Sequence, residues 1–314
     1  MKFIHSAASI IEEVNPCKKV EMIGRICYKS EKSITDISCY DFIKRLCQNQ
    51  HYAMLEHGVL TYEIPFKYHT NEDLLTLLNF EYVRHTTKYN KYLYVTISLS
   101  HIYKWLVLKE MQHNPWVIKF YSLFADKYIN KSTDLFSMYS SCYDLDVEDI
   151  KLLNSIQDIE NLSTEDEKIH RTLSIRFICD RGVSHELVRH RCSVAMESTR
   201  YCNYSLDKFG KELTFIYPSN LDQWSQDQKE LLFKSCESAE YCYMKGVESG
   251  LKPQQARAFL NNAIKTELVL TMPLGQWYHF FDLRLHGTTG APHPDMKELA
   301  SKAAELFNSV CTQQ

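Results

Sequence analysis

The sequence predicts an α+β fold, a central and mostly antiparallel sheet flanked by helices, with a helical insertion. Three observations predict it. Amphipathic stretches with apolar residues three and four apart fill the C-terminal third. Short runs of β-formers stand between helical patterns at 59–64, 172–182 and 266–271. The 314 residues are 45% hydrophobic and only 24% charged, enough to bury a sizeable core and too apolar for a disordered chain. Gly and Pro, at 9 and 8, are too few for a loop-dominated protein. A net charge of −3 excludes a broadly basic nucleic-acid coat and an acidic tail.

Taken in order, a helix is expected around Tyr40–Gln48, with Phe42, Ile43 and Leu46 on one face. Val59 to Ile64 reads as a strand ending at Pro65, and Glu72–Phe80 as a helix. KYNKYLYVTISL reads as one further strand, and Trp105 to about Tyr143 as helical, its aromatic stripes packing the core. The acidic stretch 144–170 reads as a solvated connector. TLSIRFICDRG (172–182) reads as a strand broken at Gly182, followed by a helix through SHELVRHR with Ser184 as its N-cap. Gln223–Gly250 is an amphipathic helix closed by glycine, and Pro253 opens a short one. The strand TELVLT, a helix over Leu274–Leu285 and a last helix from Pro294 to about Val310 complete the chain.

The 11 cysteines are irregularly spaced, with no C-x-x-C to suggest zinc. Glu12 and Glu13 arrive too early for a signal peptide, and no run approaches the roughly 18 apolar residues of a membrane span. A cytoplasmic setting with free thiols is expected, with neither membrane nor nucleic acid as partner.

Arginine is distributed unevenly. Of 11 in the chain, six (171, 176, 181, 189, 191 and 200) lie within thirty positions that contain no lysine. Arg offers a planar, permanently charged fork that grips phosphate or carboxylate bidentately, so anion binding is favoured over a structural network with Glu186 and Glu197. On a continuous helix Arg189 and Arg191 would diverge by about 200°, and would address two ligands, the two sides of one extended diphosphate, or a neighbouring subunit. His190, between two cations, is expected to stay neutral. Ser198, close to Arg200, fits anion binding as easily as a nucleophile; no Gly-x-Ser-x-Gly elbow occurs, which disfavours hydrolase chemistry, and no Gly-rich phosphate loop occurs, so any dinucleotide must be held by side chains. Taken alone, His51, Glu56 and His57 read as loop residues, and Arg257 and Arg284 as snorkelling cations.

DRGVSHELVRHRCSVAMESTRYCNYS resembles the signature region of the flavin-dependent thymidylate synthases (the ThyX family), in which RHR is followed by a short spacer and Ser-x-Arg-Tyr. HYAMLEH (51–57) is similar to the family's His-x4-Glu-His segment. ARAFLNNAIKTELVLTMPLGQWYHFFDLR (256–284) is similar to its Ala-Arg … Thr … Phe-x-x-x-Arg block, with APHPDM after it. Three motifs in register make the likeness specific. Six residues rather than the usual seven separate Arg191 from Ser198, and Glu186 stands for Gln. Pro273, Gly275 and His279 occupy positions where Asn, Arg and Asn are expected, and Asn261 stands for Pro.

The resemblance implies one family domain over 1–314, with a hundred or so extra residues at 66–170 forming a Tyr-rich, helical insertion. It implies a homotetramer with inter-subunit sites and bound FAD. The implied reaction is reductive methylation of dUMP, with NADPH as reductant and methylenetetrahydrofolate as carbon donor. By position, Arg189, His190, Arg191, His51, Glu56, His57 and His279 would serve the flavin. Glu186, Arg189, Ser198, Arg200, Arg257 and Arg284 would hold dUMP, with Arg284, Ser198 and His51 closest to the chemistry. The shortened spacer leaves open another pyrimidine nucleotide or hydroxymethylation as product, and the 273–279 changes leave open a non-catalytic nucleotide-binding paralogue.

Overall fold

In the computed structural model, residues 1–129, 149–153, 158–159 and 162–311 are described. The chain begins with β1 (Lys2–Ile4), β2 (Ala7–Ile10), α1 (Pro16–Tyr28), α2 (Ser38–Gln48) and a single turn, α3 (Tyr52–Leu55). There follow β3 (Val59–Pro65), α4 (Glu72–Leu78), β4 (Arg84–Lys88), β5 (Tyr92–Ser98), α5 (Leu99–Val107) and α6 (Pro115–Tyr128). Next come β6 (Lys151–Leu153), α7 (Thr164–His170), β7 (Thr172–Asp180), α8 (Arg181–Leu187), β8 (Ser193–Met196) and β9 (Thr214–Ile216). The remainder is α9 (Gln226–Glu248), α10 (Pro253–Ala256), β10 (Lys265–Pro273), α11 (Leu274–Phe281) and α12 (Pro294–Cys311).

The fold is α+β, with antiparallel sheets flanked by helices. The sheet nearest the signature residues has the order β2-β7-β10-β8. β7 and β10 pair along their whole length, from Lys265 opposite Asp180 to Pro273 opposite Thr172. β10 is buried on both faces over Thr266–Met272, which its unbroken ELVLTM run requires. One face meets α11 and α12 through Phe177, Leu270, Trp277, Phe280 and Phe307. A second four-stranded sheet, β4-β5-β3-β6, carries the other large core, in which Trp105, Trp116, Phe120 and Phe124 are almost fully buried. β1 and β9 form a short parallel pair beside α9.

Several expectations need correction. KYNKYLYVTISL falls across two strands: Tyr89 and Asn90 have φ of 50° and 51°, and Lys91 N–H bonds Lys88 C=O, which folds β4 and β5 into a tight hairpin. The acidic 144–170 stretch yields β6 and α7 in its described part, and the described residues of 66–170 therefore carry three strands as well as helices: β5 and β6 flank β3, and β4 pairs with β5. The expected helix beyond α6, at 130–143, lies outside the described residues. Ser184 is not a cap. Asp180 caps α8 by accepting from Val183 N–H at 2.9 Å, while the Ser184 hydroxyl donates to Arg181 C=O. Gly182 gives that cap room, since a Cβ there would stand 2.9 Å from Asp180 Oδ1.

The two sheets are tied together where the EH segment meets β10 and β8. His57, fully buried, shares a hydrogen bond with Thr271 Oγ1 at 2.7 Å. Ser193 Oγ donates to Glu56 C=O at 3.4 Å.

Candidate functional site

β7 leads into α8, and α8 stops at Leu187. The chain then turns through Val188–Cys192, with Arg189 N–H bonded to Glu186 C=O and His190 N–H to Leu187 C=O, before β8 begins. RHR is therefore a turn and not the end of a helix. The 200° divergence expected of Arg189 and Arg191 does not apply, because helical geometry ends before either is reached.

Arg284 comes to this turn from 98 residues away. It sits in a π-helical turn, Asp282–His286, that widens the end of α11. Its guanidinium spends three donors on two neighbours. Nη1 bonds Glu186 Oε2 at 2.9 Å, Nη2 bonds Glu186 C=O at 3.1 Å, and Nε bonds His190 Nε2 at 3.1 Å. Because His190 Nε2 accepts, the neutral ring carries its proton on Nδ1. Burial, the Arg284 charge and the nearby His279 hold the imidazole down to about 4, and Phe280 lies 4.9 Å from it, centroid to centroid. Glu186 also faces a hollow of about 350 Å³ shared with Asp180, Asn262, His293 and Asp295. A planar cation fixed by a carboxylate and a neutral imidazole is suited to the carbonyl edge of a flat polar ring.

The remaining expected residues divide among other places. Glu56 and Arg191 line one cleft of about 650 Å³ between the two sheets, where burial raises the Glu56 carboxyl. His57 lies behind it, pushed down to about 3 by burial, with no hydrogen-bond partner for its Nε2 among the described residues. Ser198 accepts Arg200 N–H at 3.4 Å, and the exposed Arg200 guanidinium lies 5.5 Å from the Tyr201 ring centroid. His51, Arg189, Arg257 and His279 are exposed. Within one chain the geometry thus joins Glu186, His190 and Arg284, with His279 beside them, and leaves the others on separate surfaces.

The family described as "Thymidylate synthase complementing protein" matches residues 137–312, which include Glu186, the RHR turn, Ser198, Arg200, Arg257 and Arg284. The chain belongs to this family, the flavin-dependent thymidylate synthases. It is 34% identical over 108 residues to the flavin-dependent thymidylate synthase of Pyrococcus furiosus, an alignment covering 34% of this chain and 43% of that protein. With its counterpart from Pyrococcus horikoshii it shares 38% identity over 108 residues, again 34% and 43% of the two chains. The chain thus spans less than half the length of these relatives. Among solved structures, a UMP/dUMP methylase, PolB from Streptomyces cacaoi bound with 5-Br dUMP, aligns over 98% of this chain and 93% of its own, at 12% identity and a TM-score of 0.42.

The family match explains the arginine window only in part, because the window contains two populations. Arg171 pairs with Glu167 at 2.6 Å, and Arg176 with Glu267 through Nε at 3.0 Å. Arg181, Arg189, Arg191 and Arg200 have no carboxylate within 4.0 Å among the described residues. Glu197 and Glu186, the expected partners, serve cations outside the window. Glu197 takes Lys265 at 2.9 Å, Lys29 at 3.6 Å and the Tyr204 hydroxyl at 3.0 Å, and Lys29, Lys265 and Arg176 all close on Glu267. Burial alone would raise the Glu267 carboxyl, yet the Lys265 and Lys29 charges take it down to about 2. Sequence reasoning missed this network. Its visible trace is Lys265 and Glu267, two charges on one face of an otherwise apolar strand. Burial raises the thiols of Cys192 and Cys202, to about 12 and about 11, so neither is a ready nucleophile.

Proposed function

We propose that this chain catalyses reductive methylation of dUMP to dTMP, with methylenetetrahydrofolate as carbon donor and FAD, reduced by NADPH, as hydride source. The observation that carries the reading is the Arg284 guanidinium locked between Glu186 and His190. A fixed cation at a pyrimidine carbonyl favours the negative charge that develops there when C5 becomes nucleophilic, with no covalent enzyme nucleophile required. In this reading the Glu186 carboxylate, an acceptor only, faces the ring N3–H, and Arg284 donates to the neighbouring carbonyl. Arg200 and Arg257 take the phosphate. Ser198 orients the nucleotide, its hydroxyl already engaged with the Arg200 backbone.

The donor set at the RHR turn fits a flavin dinucleotide: Arg189 and Arg191 are exposed forks without carboxylate partners among the described residues, and His190 between them is neutral. FAD bound there supplies the redox chemistry. Arg189 and Arg191 would hold its diphosphate, and His190, His279, Glu56, His57 and His51 would surround its ring system. The exposed positions of Arg189, Arg200, Arg257 and His51 favour sites completed by neighbouring copies, in a homotetramer. The ten free thiols among the described residues fit a reducing, cytoplasmic setting, and no described helix is long and apolar enough to cross a membrane.

The deciding experiment is an anaerobic absorbance titration of the purified protein with NADPH and dUMP, followed by mass identification of the nucleotide formed with methylenetetrahydrofolate. Flavin bands that bleach, faster with dUMP, and a dTMP product are expected. A protein that takes up no flavin, or a product other than dTMP, would overturn the reading.

A further inference from the structure

The larger cleft has two walls of different origin. One consists of Glu56, Arg191–Ser193 and Thr271–Pro273, at the flavin-side residues of the signature sheet. The other is built by the segment 80–108, which lies outside the family match at 137–312. That second wall is the start of α5 together with the first residue of β4, and its chemistry is unspent.

Four observations mark it. Arg84 gives one donor to Ile169 C=O at 2.6 Å and has no carboxylate within 4.0 Å among the described residues. Ser100 lines the cleft and is 1% exposed, and its buried hydroxyl has no hydrogen-bond partner among the described residues. Ser100 stands in the first turn of the nine-residue α5, where helix N–H groups favour an anion. Lys104, one turn on, lines the same cleft and is exposed. His101 is already committed: its Nε2 donates to Glu81 C=O at 2.9 Å and its Nδ1 accepts from Ser98. Three cations, Arg84, Lys104 and Arg191, face two acids, Glu56 and Glu81, so the cleft favours oxyanions, while Phe80 and Trp105 give its floor flat apolar surface.

We propose that this wall is a subsite for the oxyanion tail, phosphate or carboxylate, of the co-substrate that approaches the flavin, and that Arg84, Ser100 and Lys104 hold it. The subsite rests on the reading above, in which Arg191 and Glu56 mark the flavin end of the same cleft. A ligand reacting at that end would extend along the cleft, and its charged tail would meet the start of α5. A buried hydroxyl with no partner costs stability in the free protein, and such a tail would satisfy it.

The test is equilibrium titration of the FAD-loaded full chain with NADP⁺ and, separately, with 5-formyltetrahydrofolate, for wild type, Arg84→Gln, Lys104→Gln and Ser100→Ala. Roughly tenfold weaker binding of one probe is expected in the charge variants, and a smaller loss in Ser100→Ala, with FAD and dUMP affinities unchanged. The probe affected identifies the tail as phosphate or carboxylate. Equal weakening of FAD would assign the wall to the flavin and overturn the proposal, as would unchanged binding of both probes. Titration with inorganic pyrophosphate in the absence of flavin separates this idea from the reading it rests on. Should the chain bind neither FAD nor dUMP, that reading falls, and the subsite stands or falls on whether pyrophosphate binds wild type and is weakened by Arg84→Gln and Lys104→Gln.

Discussion

Two groups of charge occupy the signature sheet and its loops, and they differ in one respect. Lys29, Arg176 and Lys265 converge on Glu197 and Glu267 inside the protein, every one with an opposite charge in reach. Arg189, Arg191 and Arg200 stand at or near the surface with none among the described residues. The first group is complete without a ligand. The second is complete only with an anion from outside, and residue type alone does not separate them, since Arg176 and Arg189 fall in the same window. Arg284 lies between the extremes, paired with Glu186 yet half-buried at a hollow. Within the window, Arg171 and Arg176 are neutralised as parts of the scaffold, while Arg189, Arg191 and Arg200 are left for a ligand.

The largest effect that would break this comparison is on stability. Glu267→Ala strips three buried or half-buried cations of their shared carboxylate and should cost about 3–5 kcal/mol. Urea unfolding reads it directly, and a loss near zero would mean that the network is not structural. Next in size, Arg284→Gln should lower dTMP formation by about 10²–10³-fold while the unfolding midpoint moves little. An equal fall in stability and activity would place Arg284 with the scaffold instead.

Acid should act on the scaffold through its neutral histidines. Burial, and then the charge of Arg84, holds His170 down to about 4, while its two nitrogens bond Thr86 and Thr96. The unfolded chain binds that proton near 6.5, so the stabilising contribution is complete above pH 6.5 and is lost as pH falls toward 4. The loss is about 3 kcal/mol for this residue. His57, held down to about 3, acts in the same direction. Urea midpoints at pH 7.5, 5.5 and 4.5 should fall in that order; a flat series would show that neither ring is held neutral. The smallest effect sharpens the other side. Arg200→Lys keeps the charge and loses the fork, and should weaken nucleotide binding roughly tenfold with unchanged stability. Unchanged affinity would remove Arg200 from the phosphate.

Periodicity and capping signals in the chain were enough for α2, α9, α12 and the strands β3, β7 and β10, because each buries one face or one run of its own residues. They failed where a few backbone angles decide. Tyr89 and Asn90 turn one apparent strand into a hairpin, and Asp180, not Ser184, starts α8, because its side chain reaches Val183 N–H. They also misplaced RHR on a helix, since helical residue types continue past Val188 while the i→i−4 hydrogen bonds give way to i→i−3 turn bonds.

By itself, then, the sequence determined the α+β class, the concentration of guanidinium groups and the family likeness carried by three motifs, because these depend on residue type and local spacing. Tertiary structure alone decided which of those arginines are neutralised, which are left for a ligand, and that Arg284 reaches Glu186 and His190. Those outcomes follow from contacts between residues up to 238 apart, such as Lys29 with Glu267, and from burial, which sets whether a charge must be paired within the protein or remains available to a ligand.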